Sequence, residues 1–410
     1  MTGKPIGPIP PEFAAAGALH LGGQTADALV EAHGSPLFVY DRGVMAARIT
    51  RFRQAFAGID LHYAIKANPN AALLGWMAER VDGFDTASAG EIQFATEAAA
   101  HPRSSVRDIS IAGPGKSDDE LVEARRRGVT VNVESIGEAA RIDRLSRDGD
   151  GPFRVAVRVN PDFELRGSGM RMGGGARPFG VDVDQVPVVL NMLQRQQVRG
   201  FHIYAGSQSL DAEAIIDAQR RTIDLAARLS DAAGIAPELV NLGGGFGVPY
   251  FAGDTPLDID AVGAGLAASL AQRPAVLADT RFAIELGRWL VAEAGVYLTR
   301  VLDRKTSHGE LFLVTDGGLH HQLAASGNFG TVVRRNYPIA VAARIGAAPD
   351  EVATVVGRLC TPLDRLGDRI ALPRAEVGDV IAIFLAGAYG RSASPAAFLG
   401  HPAAAEVLVG

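Results

Sequence analysis

Between residues 36 and 285 the chain alternates short apolar runs with stretches whose apolar residues recur at helical spacing. "PLFVYD" precedes "GVMAARITRFRQAF", "LHYAIKAN" precedes "AALLGWMAERV", and "VDGFDTAS" precedes "AGEIQFATEAAA". A short apolar run followed by a 3.6-period segment is the pattern of a βα unit. The rhythm continues through "DISIAGPGK", "VTVNVES", "FRVAVRVNP", "VRGFHIYAGSQ", "ELVNLGGGFG" and "RFAIELGR". Counted from "LHYAIK", these make about eight strands, the number that closes a (β/α)8 barrel. A closed barrel is preferred to an open doubly wound sheet because no Gly-rich fingerprint opens the first unit.

After about residue 285 the texture changes to β-branched alternation and turns, as in "GVYLTRVLDRK", "ELFLVTDGG" and "RIALPRAEVGDVIAIF". The expectation is an α/β protein in two parts: a (β/α)8 TIM barrel over 36–285 and an all-β domain over 286–410, with segment 1–35 packing on the latter. At 410 residues the chain exceeds what one hydrophobic core usually serves, which suits that division. Charged residues make up 21%, and no window approaches the roughly 20 apolar residues of a membrane span. The start "MTGKPIGPIPPEF" lacks the apolar stretch of a secretion signal, so a cytoplasmic protein is expected. A net charge of −6 leaves no electrostatic footprint for nucleic acid. The single cysteine, Cys360, excludes an intrachain disulfide and a thiolate cluster, and the nine histidines show no ligand spacing, so no metal site is expected.

Chemistry in such a barrel sits where strands end. Lys66, in "YAIKANPN", falls there. It reads either as a solvated lysine capping a strand or as a desolvated, nucleophilic amine able to form a Schiff base. "NLGGGFG", residues 241–247, follows a later strand; its glycines suit either a tight turn or a backbone cradle for phosphate. "ELGR" then places Glu285 and Arg288 at the next strand end, either as a surface ion pair or as a carboxylate and a directional phosphate donor.

"YAIKANPN", "GFDTASAGEI", "FHIYAGSQ", "NLGGGFG", "ELGR", "GRLCTPLD" and "GAYG" occur in this order, and together they resemble the fold-type III pyridoxal-phosphate decarboxylases, the diaminopimelate and ornithine decarboxylase family. The resemblance implies that Lys66 holds pyridoxal 5'-phosphate through a Schiff base and that Glu285 pairs with its pyridine nitrogen. It implies that Gly244, Gly245, Ser207 and Arg288 hold the phosphate, and that Asp85 lies near the cofactor. Cys360 would reach a neighbouring subunit's site and return a proton, Asp364 would lie beside the substrate, and Tyr389 would cross the interface to the cofactor. A homodimer with shared active sites follows from those three.

Two departures bear on substrate. Tyr204 stands where the family has a cofactor-stacking histidine; its ring keeps the stacking but supplies no imidazolium. After "TDGG", Ala324 stands where diaminopimelate decarboxylases carry an arginine for the distal carboxylate. "GMRMGGGARPFGVD", "RLCTPLDRLG" and "GAYGRSASPAAFLGHPAAAEVL" are similar to an exosortase-associated subgroup and to decarboxylases of amino acids tethered to acyl carrier proteins. The implied activity is decarboxylation of an L-amino acid or derivative, free or presented by an acyl carrier protein. A racemase on the same barrel and a non-catalytic regulatory homologue are the alternatives, and retention of Lys66, Glu285, Arg288 and Cys360 argues against the second. The glycine-rich, basic segment 166–180 falls where the family's substrate-specificity loop lies.

Overall fold

The structure is a computed structural model that describes residues 3–149, 151–165, 167, 169–327 and 334–410. Residues 166 and 168 of the segment 166–180, and the end of "TDGGLHHQLAASGNFG", lie outside the described residues. The chain divides into two compact units, one of residues 49–247 and 257–287, the other of residues 1–48, 248–256 and 288–410.

The first unit is built on eight strands: β1 (Asp60–Ala64), β2 (Gly83–Thr86), β3 (Asp108–Ile111), β4 (Thr130–Val133), β5 (Arg154–Asn160), β6 (Gln197–Ile203), β7 (Leu239–Gly244) and β8 (Arg281–Leu286). Each pairs in parallel with the next, and β8 pairs with β1 through Ala283 to Asp60 and Glu285 to His62, so the sheet closes. This is the expected (β/α)8 barrel. The helices begin where a short polar side chain can take an orphan N–H: Asn70, Ser88, Ser117, Ser135, Asp211 and Asp258 each accept from the residue three further on. Each such cap is worth about 1 kcal/mol. These caps fix where strand-end loops stop, and so fix the rim of the barrel.

The lumen departs from the branched apolar filling usual for this architecture. Residues two apart along a strand share a face, and on that face stand Asp60 and His62, Asp108 and Ser110, Thr130 and Asn132. His202, Asn241 and Glu285 join them, and all nine but Ser110 are buried. A polar interior needs internal partners, which concentrates ionisable groups at the two barrel ends.

The second unit is mostly sheet. Strand β9 (Gly295–Ser307) pairs in its first half with Leu37–Asp41 and Val380–Ile383, and in its second half with Glu310–Thr315. "PLFVYD" was expected within the barrel's bounds of 36–285, though outside its eight counted strands; Leu37–Asp41 is an antiparallel partner of β9 and a parallel partner of Ala405–Val409. The boundary therefore falls at residue 48 and not at 35, and residues 248–256 also belong to this unit. A strand buried on every residue looks the same in sequence whichever sheet it enters. The N-terminal segment lies on this unit, with Lys4 N–H donating to Arg369 O at 2.7 Å and Ile6 bridging Asn336. Among the described residues no helix is long and apolar enough to cross a membrane.

Candidate active site

Three adjacent strands, β8, β1 and β2, each deliver one ionisable side chain to the C-terminal end of the barrel. Lys66 sits in the single turn Ile65–Ala67 that follows β1. Its Nζ donates to Asp85 Oδ2 at 3.0 Å and lies 3.5 Å from Glu285 Oε1. The Lys66 side chain keeps 42% of its surface exposed, whereas those of Asp85 and Glu285 keep 0 and 3%. The amine is reachable from outside; the acids beneath it are not.

Below the amine, His202 Nε2 lies 3.1 Å from Glu285 Oε2, Asn241 Nδ2 donates to the same oxygen at 3.4 Å, and Ser110 Oγ donates to Asp85 Oδ1 at 3.3 Å. Two buried carboxyl groups side by side do not both ionise. Burial, then the charge of Glu285, pushes the Asp85 carboxyl up to about 8. Burial also works against Glu285, but the Lys66 ammonium and the His202 N–H outweigh it and hold Glu285 below the usual carboxylate range. Burial lowers His202, which is therefore neutral. The environment has separated two like groups into one acid that keeps its proton and one that stays an anion.

The loop after β7 approaches its neighbours backbone to backbone. A Cβ on Gly245, at φ +79°, would lie 2.0 Å from Gly206 O, and one on Gly244 would lie 1.9 Å from Glu285 O. Gly243 N–H donates to Asn241 Oδ1 at 2.9 Å. Ser207, whose strand segment Gly206–Ser207 pairs with Met170–Arg171, is thus beside Gly245. Tyr204 lies 26° from coplanar with His202, their ring centroids 6.3 Å apart.

Arg288, Cys360, Asp364 and Tyr389 belong to the other unit. The Arg288 guanidinium donates to Tyr250 Oη at 2.9 Å and lies 4.7 Å from the Tyr389 ring centroid. Its buried Nε has no hydrogen-bond partner, and it pairs with no carboxylate among the described residues. A cation in that state suits an anionic ligand. Tyr389 adopts φ +53°, the left-handed region that bulky residues avoid. Cys360 is an exposed free thiol. Asp364, expected beside the substrate, is buried, and its two oxygens accept from Leu319 N–H at 2.7 Å and Leu359 N–H at 2.9 Å. Cβ atoms on Gly318 and Gly357 would collide with its carboxylate. Its carboxylate braces the "DGG" turn to the Cys360 loop.

Residues 42–292 match the pyridoxal binding domain of the family described as pyridoxal-dependent decarboxylase. The chain belongs to the pyridoxal-dependent decarboxylases. It is 37% identical over 390 residues to the L-glutamyl-[BtrI acyl-carrier protein] decarboxylase of Niallia circulans, covering 93% of this chain and 90% of that one. It is 33% identical over 405 residues to the diaminopimelate decarboxylase of Methanothermobacter thermautotrophicus, covering 96% and 91%. The crystal structure of Helicobacter pylori diaminopimelate decarboxylase complexed with L-lysine matches with a TM-score of 0.81 at 27% identity, over 94% of each chain. This decarboxylase therefore acts on an amino acid or amino-acid derivative with pyridoxal phosphate as cofactor.

The residues present fit that cofactor. A reachable amine, a buried anion beneath it and a glycine loop whose packing forbids any Cβ are the donor set that an aldehyde, a pyridinium nitrogen and a phosphate each ask for. His202 was missed in the sequence, although it stands two residues before Tyr204 on β6. That period-2 spacing places both rings on one face. His62 and Asn132, on the same lumen face of other strands, were missed because an isolated histidine or asparagine inside a strand carries no spacing signal.

Proposed function

We propose that Lys66 carries the cofactor covalently, that Glu285 holds its pyridine nitrogen, and that Gly244, Gly245, Ser207 and Arg288 hold its phosphate. The observation that carries this reading is the Lys66, Asp85 and Glu285 cluster, with its amine open and its acids buried. Pyridoxal phosphate, when bound, supplies an electron sink for the pair left on Cα as the α-carboxylate departs as carbon dioxide. Glu285, held anionic by the Lys66 ammonium and the His202 N–H, keeps a negative charge against the pyridine nitrogen. Tyr204 covers the ring face and Asp85 Oδ2 orients the Lys66 amine. Cys360 Sγ would return a proton to Cα, acting with Tyr389 across a homodimer, with the Asp364 brace setting the position of its loop.

The substrate we infer is an L-glutamyl group, or a near relative, presented as a thioester by an acyl carrier protein. Higher identity to the carrier-protein enzyme than to the diaminopimelate enzyme supports this. So does Ala324, which cannot clamp a distal carboxylate that a thioester no longer offers. The test is carbon dioxide release from L-glutamyl carrier protein, free L-glutamate and diaminopimelate, with inversion at the α-carbon followed in parallel. The thioester is expected to lead in kcat/KM by at least about 100-fold, the discrimination that a site built around a specific polar group reaches. Equal turnover of diaminopimelate would overturn the carrier reading, and inversion without carbon dioxide would favour the racemase.

A further inference from the structure

Beneath Glu285 the barrel lumen holds a cavity of about 20 Å³, lined among others by His62 of β1, Asn132 of β4, His202 of β6 and Asn241 of β7. A cavity of about 10–15 Å³ by this measure already admits one water, provided two or more polar groups face it. Here four buried polar atoms have no hydrogen-bond partner among the described residues: Nδ1 of His202, both ring nitrogens of His62, and Nδ2 of Asn132. The three side chains are only 2 to 3% exposed. Buried donors and acceptors are almost always paired, so four around one small cavity call for a common partner.

The tautomer of His202 follows from its neighbours. Glu285 is an anion and only accepts, so the 3.1 Å contact requires the proton to be on Nε2. Nδ1 is then a lone pair and needs a donor, which the neutral ring cannot find in the surrounding protein. Glu285 sets the tautomer, and a donor at Nδ1 completes the hydrogen bonding of the ring. We propose that a water held in this cavity donates to His202 Nδ1, accepts from Asn132 Nδ2 and reaches His62, and that His202, with its tautomer so fixed, is the positioning residue that keeps Glu285 anionic and aimed. This rests on reading Glu285 as the partner of the pyridine nitrogen. Gly83 leaves the room required: a Cβ there would lie 2.7 Å from His62 Cδ2.

A cation is the competing occupant, because Asp60, His62 and Asp108 bring ligand atoms within 4.8 Å of one another. Arg281 and Arg107 already hold Asp60, and Arg281 and Arg199 hold Asp108. Three guanidinium groups neutralise those carboxylates and repel a metal, which leaves a neutral guest with both donors and acceptors.

The test is side-chain ¹⁵N NMR of the histidine-labelled protein, with and without pyridoxal phosphate. The expected result is His202 protonated on Nε2 alone in both preparations, with Nδ1 shifted as a hydrogen-bond acceptor. An Nδ1–H tautomer or a doubly protonated ring would overturn the proposal. Two variants then test positioning through cofactor affinity, read by fluorescence titration. His202→Leu should weaken it by about 10-fold or more, the effect of losing a hydrogen bond to a charged group, while His202→Gln, which keeps an N–H, should stay within about threefold of the parent. Equal losses in both would overturn it. The tautomer is read without the cofactor, so a chain that shows Nε2–H yet takes up no pyridoxal phosphate would sink the functional reading and not this one.

Discussion

The two ends of the barrel use the same residue types to opposite effect. At the N-terminal ends of the strands acids meet bases: Arg281 reaches Asp60 at 2.6 Å and Asp108 at 2.9 Å, Arg199 reaches Asp108 at 2.5 Å and also pairs with Glu238, and Arg107 bridges Asp60 and Asp82. At the C-terminal ends acid meets acid, with one lysine between Asp85 and Glu285. Burial acts against ionisation at both ends. At the first, arginine pairs overcome it and hold Asp108 down to about 2; at the second, the charge of Glu285 adds to it and Lys66 offsets it only in part, so Asp85 rises to about 8. A closed network of opposite charges seals and orders the barrel floor, whereas an unresolved set of like charges is what a functional site stores.

The comparison breaks most sharply at Lys66. Lys66→Ala should lower decarboxylation by at least about 10⁴-fold, the scale seen when a covalent catalytic group is removed, and should abolish the visible absorption of bound cofactor. The midpoint of urea unfolding should fall modestly, because buried Glu285 loses the ammonium and keeps only the His202 and Asn241 contacts. A variant that keeps the absorption band would remove Lys66 from the mechanism. At the other end, Arg199 has a side chain only 6% exposed and donates to Asp108 and Thr130. Arg199→Met should cost about 1.5 kcal/mol or more in urea unfolding, because buried Asp108 loses one of its two charge-assisted hydrogen bonds and keeps only the one from Arg281, with kcat per folded molecule within about threefold. A stable but inactive Arg199→Met would mean the floor takes part in the chemistry. Glu285→Gln should cost about 10² to 10³ in kcat, as for loss of one preorganised electrostatic contact. Its stability at neutral pH should fall, since the folded chain favours the Glu285 anion over its neutral form.

The sequence carried the barrel, its strand count and the ordered motifs, because β-strand burial and glycine loops leave local marks. It did not carry the allocation of Leu37–Asp41, whose fully buried "LFVYD" fits either sheet and is decided only by pairing with β9. Lys66, Glu285 and the glycine loop were legible as candidates from strand-end position, but their meeting was not: residues 66, 85 and 285 converge only because β8 closes onto β1. Asp364 was legible as a motif residue and not as a brace, since backbone N–H groups at 319 and 359 have no sequence signature. The polar lumen was hidden for a related reason. His62, Asn132 and His202 each sit among apolar neighbours, and only closure shows that they face one another.

The finest distinction between the ends is the sign of their pH dependence. In cofactor-free protein, Asp85 moves from 3.8 when unfolded to about 8 when folded. Its folded form binds the proton more tightly, so its contribution to stability is complete below pH 3.8 and drains away as pH rises toward about 8. Asp108 moves the other way, from 3.8 to about 2, so its contribution is complete above pH 3.8 and is lost as pH falls through about 2. Asp85→Asn should therefore raise the unfolding midpoint on the alkaline side and leave the acid side nearly unchanged. Asp108→Asn should lower the midpoint at neutral pH, with the gap to the parent closing only in strong acid. Denaturant midpoints measured across the pH range decide it. If Asp85→Asn lost stability at alkaline pH as Asp108→Asn does at neutrality, both carboxylates would be paired anions, and the contrast between a resolved floor and an unresolved mouth would fail.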